Sequence, residues 1–94
     1  MREYELMLVL DPTLDDEGQQ AATERVGAFV TSRGGELLSQ ESMGRRRLAY
    51  PIKRHRDGIY TVSRFKMAPT AADELERNLK LNEQVIRHLL IRTD

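Results

Sequence analysis

Hydrophobic and polar positions alternate over Glu3–Leu10, with Tyr4, Leu6, Leu8 and Leu10 on one side and Glu3, Glu5, Met7 and Val9 on the other. A period of two predicts a strand. Asp11-Pro12 ends it, because proline has no N–H to give to a ladder. The period then lengthens. Ala22, Val26, Phe29 and Val30 fall at i, i+4, i+7 and i+8, one apolar stripe on a helix running from about Asp15 to Arg33. Asp15 is the expected N-cap, and Asp16 and Glu17 lie where the helix dipole favours negative charge; this acidic run reads as a cap rather than a metal site. Gly18 and Gly27 each cost about 1 kcal/mol of helix propensity, so packing must hold this helix. Gly34-Gly35 closes it by supplying a positive φ.

Glu36–Tyr50 reads as a long strand kinked near Gly44, followed by a polar, basic connection over Pro51–Asp57. Leu38, Leu48 and Tyr50 are expected on one face with Arg46, and Leu37, Met43, Arg45, Arg47 and Ala49 on the other. Gly58–Met67 is a further strand whose alternation slips, since Phe65 and Met67 are out of phase with Tyr60 and Val62. A β-bulge near Ser63-Arg64 is the favoured explanation, burial on both faces the other. Pro69-Thr70 opens a second helix, with Thr70 and Asp73 spaced as a capping box. Ala68, Ala72, Leu75 and Leu79 form its stripe, and Asn82 is the expected left-handed terminator. Val85–Arg92, rich in branched residues, is the last strand.

Two β-α-β units in succession predict an α+β fold of the ferredoxin-like, split βαβ kind: βαββαβ, a four-stranded antiparallel sheet with both helices on one face. A chain of 94 residues suits one such domain, residues 1–94. The opposite sheet face is then left bare, and Met7, Val9, Leu89 and Ile91 are candidates to point there and meet a protein partner. Scattered apolar residues are also ordinary on a surface.

Apolar residues make up 39% and charged residues 32% of the chain, the balance of a folded domain rather than a disordered tail. No cysteine is present, which removes disulfides, thiolate metal sites and cysteine nucleophiles. The longest apolar run, Leu6–Leu10, is far short of the ~18 residues of a membrane helix. Glu3 and Glu5 break the layout of a signal peptide, so the cytoplasm is the expected address.

Net charge is zero, but the charges are segregated. Residues 1–40 carry three Lys/Arg against eight Asp/Glu, residues 41–66 eight against two, and residues 67–94 four against five. The middle segment thus creates a local positive field suited to a polyanion. Its densest part runs from Arg45 to Arg56, with Arg45, Arg46, Arg47, Lys53, Arg54 and Arg56 and no acidic residue. Clustered cations of this kind neutralise phosphates and release counterions without reading sequence. Arg adds bidentate geometry, His55 lies within the run, and Tyr50 offers one ring for stacking on a base. Charges on an edge strand also block strand-to-strand association, so the arginines equally suit a gatekeeper role.

Candidate catalytic chemistry is sparse. His55 and His88 are far apart in sequence, and neither a metal-binding H-E-x-x-H nor a phosphate-binding glycine loop occurs. No catalytic residue, metal ligand or cofactor is expected.

The stretch Gly44-Arg45-Arg46-Arg47-Leu48-Ala49-Tyr50-Pro51-Ile52-Lys53 closely resembles the signature of the bacterial small-subunit ribosomal protein S-six family. Met1-Arg2-Glu3-Tyr4-Glu5, Leu10-Asp11-Pro12 and Leu81-Asn82-Glu83 are similar to that family too, so the likeness runs essentially end to end. The resemblance implies a ferredoxin-like, non-enzymatic component of the small ribosomal subunit. It also implies binding to the central domain of 16S ribosomal RNA as a heterodimer with the basic ribosomal protein S-eighteen. By position, Arg2, Arg45, Arg46, Arg47, Tyr50 and Lys53 become candidates for RNA contact, with Arg46 and Arg47 candidates for partner contact as well. Arg54, His55 and Arg56 lie beyond the signature and rest on charge alone. The extended C-terminal tail of some family members is not expected to act here, since the chain stops at Asp94.

Two rivals share the topology. An RNA-recognition motif needs aromatic residues in its third strand, where Asp57–Arg64 keeps only a glycine and a valine of the pattern. A small-molecule-binding regulatory domain or a small phosphatase is the other alternative. Against a phosphatase, Asp11-Pro12-Thr13 is acidic and lacks glycine, poorly suited to cradle a phosphate.

Overall fold

The apolar side of the first strand forms the centre of the structure. A computed structural model describes residues 1–94, in the order β1 (Arg2–Leu10), α1 (Asp16–Ser32), β2 (Glu36–Ile52), β3 (His55–Met67), α2 (Pro69–Leu81) and β4 (Val85–Arg92). The four strands form one antiparallel sheet in the order β2-β3-β1-β4, with β2 and β4 at its edges. Tyr4, Leu6, Leu8 and Leu10 are buried against Ala22, Val26 and Val30 of α1 and Ala71, Ala72, Leu75 and Leu79 of α2. The expected βαββαβ architecture is therefore present. Tyr4 and Phe65 face each other across β1 and β3 with ring centroids 5.9 Å apart, a cross-strand aromatic pair within the core.

The Asp15 carboxylate caps α1 by accepting from the Gly18 N–H at 2.7 Å. At Gly27 the helix lies so close to β2 that a Cβ would come within 3.1 Å of Leu37 Cδ2. The second helix starts differently from expectation. Pro69 occupies its first turn, Ala68 is the cap residue without a side-chain bond, and Thr70 lies inside the helix, so the capping box does not form. Proline's fixed φ begins the helix instead. Asn82 is extended (φ −88°) rather than left-handed, and its side-chain oxygen accepts from Gln84 N–H at 2.9 Å.

The slip in β3 is not a bulge. Its pairing with β1 runs unbroken from Arg2↔Met67 to Leu10↔Ile59. Both faces carry apolar residues: Ile59, Phe65 and Met67 face the helices with the small polar Thr61 and Ser63 between them, while Tyr60 and Val62 face the other way. The irregularities in the pairing of β3 with β2 belong to β2, which shifts register at Leu37/Ser39, at Ser42/Gly44 and between Arg47 and Ile52. Gly44 has φ +76°, so the expected kink there is a glycine bulge. The loop expected over Pro51–Asp57 shrinks to two residues. β2 continues to Ile52, β3 begins at His55, and Lys53 and Arg54 make the turn with φ 49° and 70°. Two successive positive φ values match a hairpin to the right-handed twist of its strands.

The last shift leaves Leu48–Pro51 bulged out of the ladder, and this segment folds over the end of the sheet face that carries no helix. There Leu48 is buried with Val9 and Ile86, and Ile52 and Tyr60 pack around them. Val9 is only 1% exposed. It is thus covered by its own chain and leaves the set of candidate partner contacts, because the bare face is capped at one end by β2.

Both the capped end and the turn after β1 can be probed by single substitutions. A Cβ at Gly58 would overlap Val9 Cγ1, so Gly58→Ala lowers unfolding free energy by about 1–3 kcal/mol in chemical denaturation. Asp11 accepts from both the N–H (2.8 Å) and the hydroxyl (2.7 Å) of Thr13. These bonds, with a smaller contribution from nearby His55, hold its carboxyl below the usual carboxylate range. Asp11→Ala therefore loses stability at neutral pH. The gap between variant and parent closes as pH falls from the ordinary carboxylate pKa through the lowered one, as thermal melts across that range would show.

Candidate nucleic-acid interface

The bulged end of β2 and the tight turn after it collect the cations of the middle segment at one end of the sheet. Arg45, opposite Ile59, turns toward the helical side, where its guanidinium donates to Pro12 O at 3.0 Å and lies 3.8 Å from the Asp57 carboxylate. It is tied to the scaffold. Arg46 projects onto the open face, its Nε donating to Met43 O at 3.3 Å. Arg47 borders two shallow cavities. One, of about 340 Å3, is shared with Met7, Met43, Arg46, Tyr60 and Val62. The other, of about 170 Å3, is formed with Tyr50, Pro51 and Arg56 among others. Met43 therefore shares a face with Arg46, contrary to the alternation, because the bulge at Gly44 turns it over.

Lys53 and Arg54 occupy the tip in left-handed backbone, a conformation that costs side-chain-bearing residues energy and that asparagine or glycine would adopt more easily. Arg46, Arg47, Lys53, Arg54 and Arg56 have no carboxylate partner within ion-pair distance. His55 is turned inward, half-buried with Nε2 3.8 Å from Asp11 Oδ2, so it braces the base of the hairpin rather than joining the exposed cations. Arg2 lies at the far end of β1, opposite Met67. It is eight residue steps along the strand from Leu10, about 26 Å at 3.3 Å per residue, and the fold does not bring it to the cluster.

Tyr50 is 59% exposed, and its hydroxyl accepts from Arg87 Nη1 at 3.4 Å. Arg87 comes from β4, opposite Val9 on the open face, and is a sixth unpaired cation that the reading of the basic run missed. Its signal was present: Arg87 is in phase with Leu89 and Ile91, but only the fold of Leu48–Pro51 across the sheet brings it to Tyr50.

Beyond this basic end the open face is apolar. Leu89 pairs with Met7, and Ile91 with Glu5. Leu89 and Ile91 are exposed, as is Met43, while Met7, Tyr60 and Val62 are half-buried. A cross-strand pair, Arg64–Glu5 at 3.2 Å, adds a polar element to this face. His88 lies on the opposite, helical side, largely buried with Nε2 3.4 Å from Glu76 of α2. The two histidines therefore do not converge on a shared site.

Comparison with known proteins places this arrangement. The family described as Ribosomal protein S6 matches residues 3–92. The small ribosomal subunit protein bS6 of Symbiobacterium thermophilum is 42% identical over 92 residues, covering 98% of this chain and 97% of that one. The protein of the same name from Mycobacterium bovis is 45% identical over 94 residues, all of this chain and 98% of that one. The crystal structure of 30S ribosomal protein S6 from Thermotoga maritima superposes with a TM-score of 0.92 at 32% identity, covering 98% of this chain and 87% of that one. With family match, full-length relatives and fold in agreement, this chain belongs to the ribosomal protein S6 family of the small ribosomal subunit.

Proposed function

We propose that this chain is a structural, non-enzymatic component of the small ribosomal subunit in the bacterial cytoplasm. In this reading it binds the central domain of 16S ribosomal RNA together with ribosomal protein S-eighteen. The observation that carries the RNA contact is the set of unpaired cations gathered by the β2–β3 hairpin: Arg46, Arg47, Lys53, Arg54 and Arg56, joined by Arg87. Guanidinium groups free of internal carboxylates keep their full charge for phosphate oxygens. Tyr50 presents its ring at the same end, available for stacking on an unpaired base. Arg2, remote from the hairpin, would serve a separate contact.

The protein partner is assigned to the apolar part of the open face, with Met7, Leu89 and Ile91 at its centre and Arg46 and Arg47 at its margin. A basic partner seated there would cover exposed apolar surface and add its own cations beside the hairpin. RNA would then meet one continuous basic surface, and the second binding event would gain from effective concentration. The acidic N-terminal segment favours a basic neighbour and disfavours RNA.

A second reading rests on the position of β2 at the sheet edge, where charge prevents edge-to-edge pairing. The regulatory-domain and phosphatase alternatives share only the fold.

Replacing Arg45, Arg46 and Arg47 together by Ala is expected to weaken RNA assembly. The dependence of log affinity on log salt should flatten by about 0.7–0.9 for each phosphate left without its cation. Because Arg45 is held by Pro12 and Asp57, most of that flattening should appear already in Arg46→Ala/Arg47→Ala, and little in Arg45→Ala. Binding to a central-domain RNA fragment with the basic partner, measured at several salt concentrations, checks this. An unchanged slope accompanied by self-association in light scattering would establish the gatekeeper reading instead.

A further inference from the structure

On the open face, cations and apolar side chains meet in one concavity. The cavity of about 340 Å3 is lined by Met7 of β1, Met43, Arg46 and Arg47 of β2, and Tyr60 and Val62 of β3. Its size falls within the ~300–1,000 Å3 of sites that take small ligands. None of its lining residues is buried. Met43, Arg46 and Arg47 are exposed and Met7, Tyr60 and Val62 half-buried, so each offers surface to an occupant. No acidic residue lines it.

The sheet fixes this lining. Met7 and Val62 lie directly opposite each other in the β1–β3 ladder. Tyr60 packs on the Val9, Leu48 and Ile86 cluster, which steadies it as a wall between the capped end and the cavity. The bulge at Gly44 turns Met43 onto the same face. Arg46 Nε donates to Met43 O at 3.3 Å, which anchors the guanidinium at the rim and leaves its two terminal nitrogens for an anion. Neither Arg46 nor Arg47 has a carboxylate partner.

We propose that this cavity receives one unstacked base of a single-stranded RNA segment, with the adjoining phosphates on Arg46 and Arg47. The inference rests on the RNA reading of the hairpin and adds that the protein holds a base as well as the backbone. An apolar floor under a carboxylate-free cationic rim is the complement of a flat ring attached to an anion. Thioethers are polarisable and rest well against aromatic rings, and stacking on Tyr60 is open to any base, since every base has a π-face. Bases splayed out of single strands are what RNA-binding surfaces commonly take up. A protein segment bearing one carboxylate would engage one guanidinium and leave the other unused. An RNA strand leaving the cavity meets the further cations of the same end, Lys53, Arg54, Arg56 and Arg87. Met7 marks the border with the protein partner's surface, because it lies between Val62 of β3 on one side and Leu89 of β4 on the other.

The test compares hexa-adenylate with an abasic ribose-phosphate hexamer of the same charge. Each is titrated into the full chain while NMR follows the methyl signals of Met7, Met43 and Val62. Hexa-adenylate should bind about tenfold more tightly than the abasic strand, the effect of stacking one base. It should also move the three methyl signals upfield, the ring-current signature of a base lying over them, and the abasic strand should not. Val62→Phe fills the floor without changing any charge and should bring the two strands to equal affinity. Met43→Ala, at an exposed position, should narrow the difference without depending on how the core tolerates a larger side chain. Equal affinities of the parent chain for both strands with unmoved methyl signals would overturn the proposal and leave the phosphate contacts standing. Binding of neither strand would remove the RNA reading on which it rests. Full preference for hexa-adenylate in both variants, or methyl signals moved by the basic protein partner alone and unresponsive to RNA, would place the base elsewhere and overturn it as well.

Discussion

The contact of Leu48 with Val9 and Ile86 organises the functional end of this molecule. A strand as long as β2 would otherwise carry its arginines past the end of β1 as a free ribbon. Instead, the ladder breaks after Arg47, four residues bulge outward, and Leu48 closes onto that end of the sheet against Val9 and Ile86. Gly58 makes room for this closure, since any side chain there would collide with Val9. One small apolar cluster therefore determines where Tyr50 lies, which residue of β4 it meets, and which cations share a surface.

That arrangement reconciles a chain of zero net charge with an expected polyanion partner. Elsewhere three arginines have carboxylate partners: Arg33 with Glu74 at 2.6 Å, Arg64 with Glu5, Arg92 with Asp94. In the first of these, each partner favours the other's charged form, so the Glu74 carboxyl is lowered and the Arg33 guanidinium raised. At the hairpin the cations stay unpaired, and two of them sit in left-handed backbone at the tip. Lys-Arg at a position suited to Asn-Gly is a local conflict between turn geometry and residue type, and such conflicts concentrate where function sets the residue.

The architecture was legible because β1 and α1 have clean periods, β4 is rich in branched residues, and Asp15 and Gly34 mark the ends of α1 where the structure places them. What escaped was mostly set by packing between distant segments. The phase of β3 looked like a slip because Thr61 and Ser63 occupy buried positions that hydropathy assigns to solvent. The capping box at Thr70 failed because Pro69 begins the helix one residue earlier. Val9 read as an open-face residue by alternation, correctly for its direction, but its burial depends on Leu48, thirty-nine positions later in the chain. Arg87 was missed for the same reason. The family signature identified Arg45, Arg46 and Arg47 as one group, whereas the structure divides them between a scaffold contact and the exposed surface.

In the proposed function, placement of the cations, and not their number alone, makes the surface that RNA meets. Leu48→Ala tests it most directly, because it leaves every charge in place and removes the side chain that folds the bulge onto the sheet. With the overall fold confirmed by circular dichroism, the account predicts faster amide exchange over residues 48–52 and about tenfold weaker binding to central-domain RNA in the presence of the basic partner, about 1.4 kcal/mol. Wild-type affinity in a variant whose bulge has loosened would contradict it.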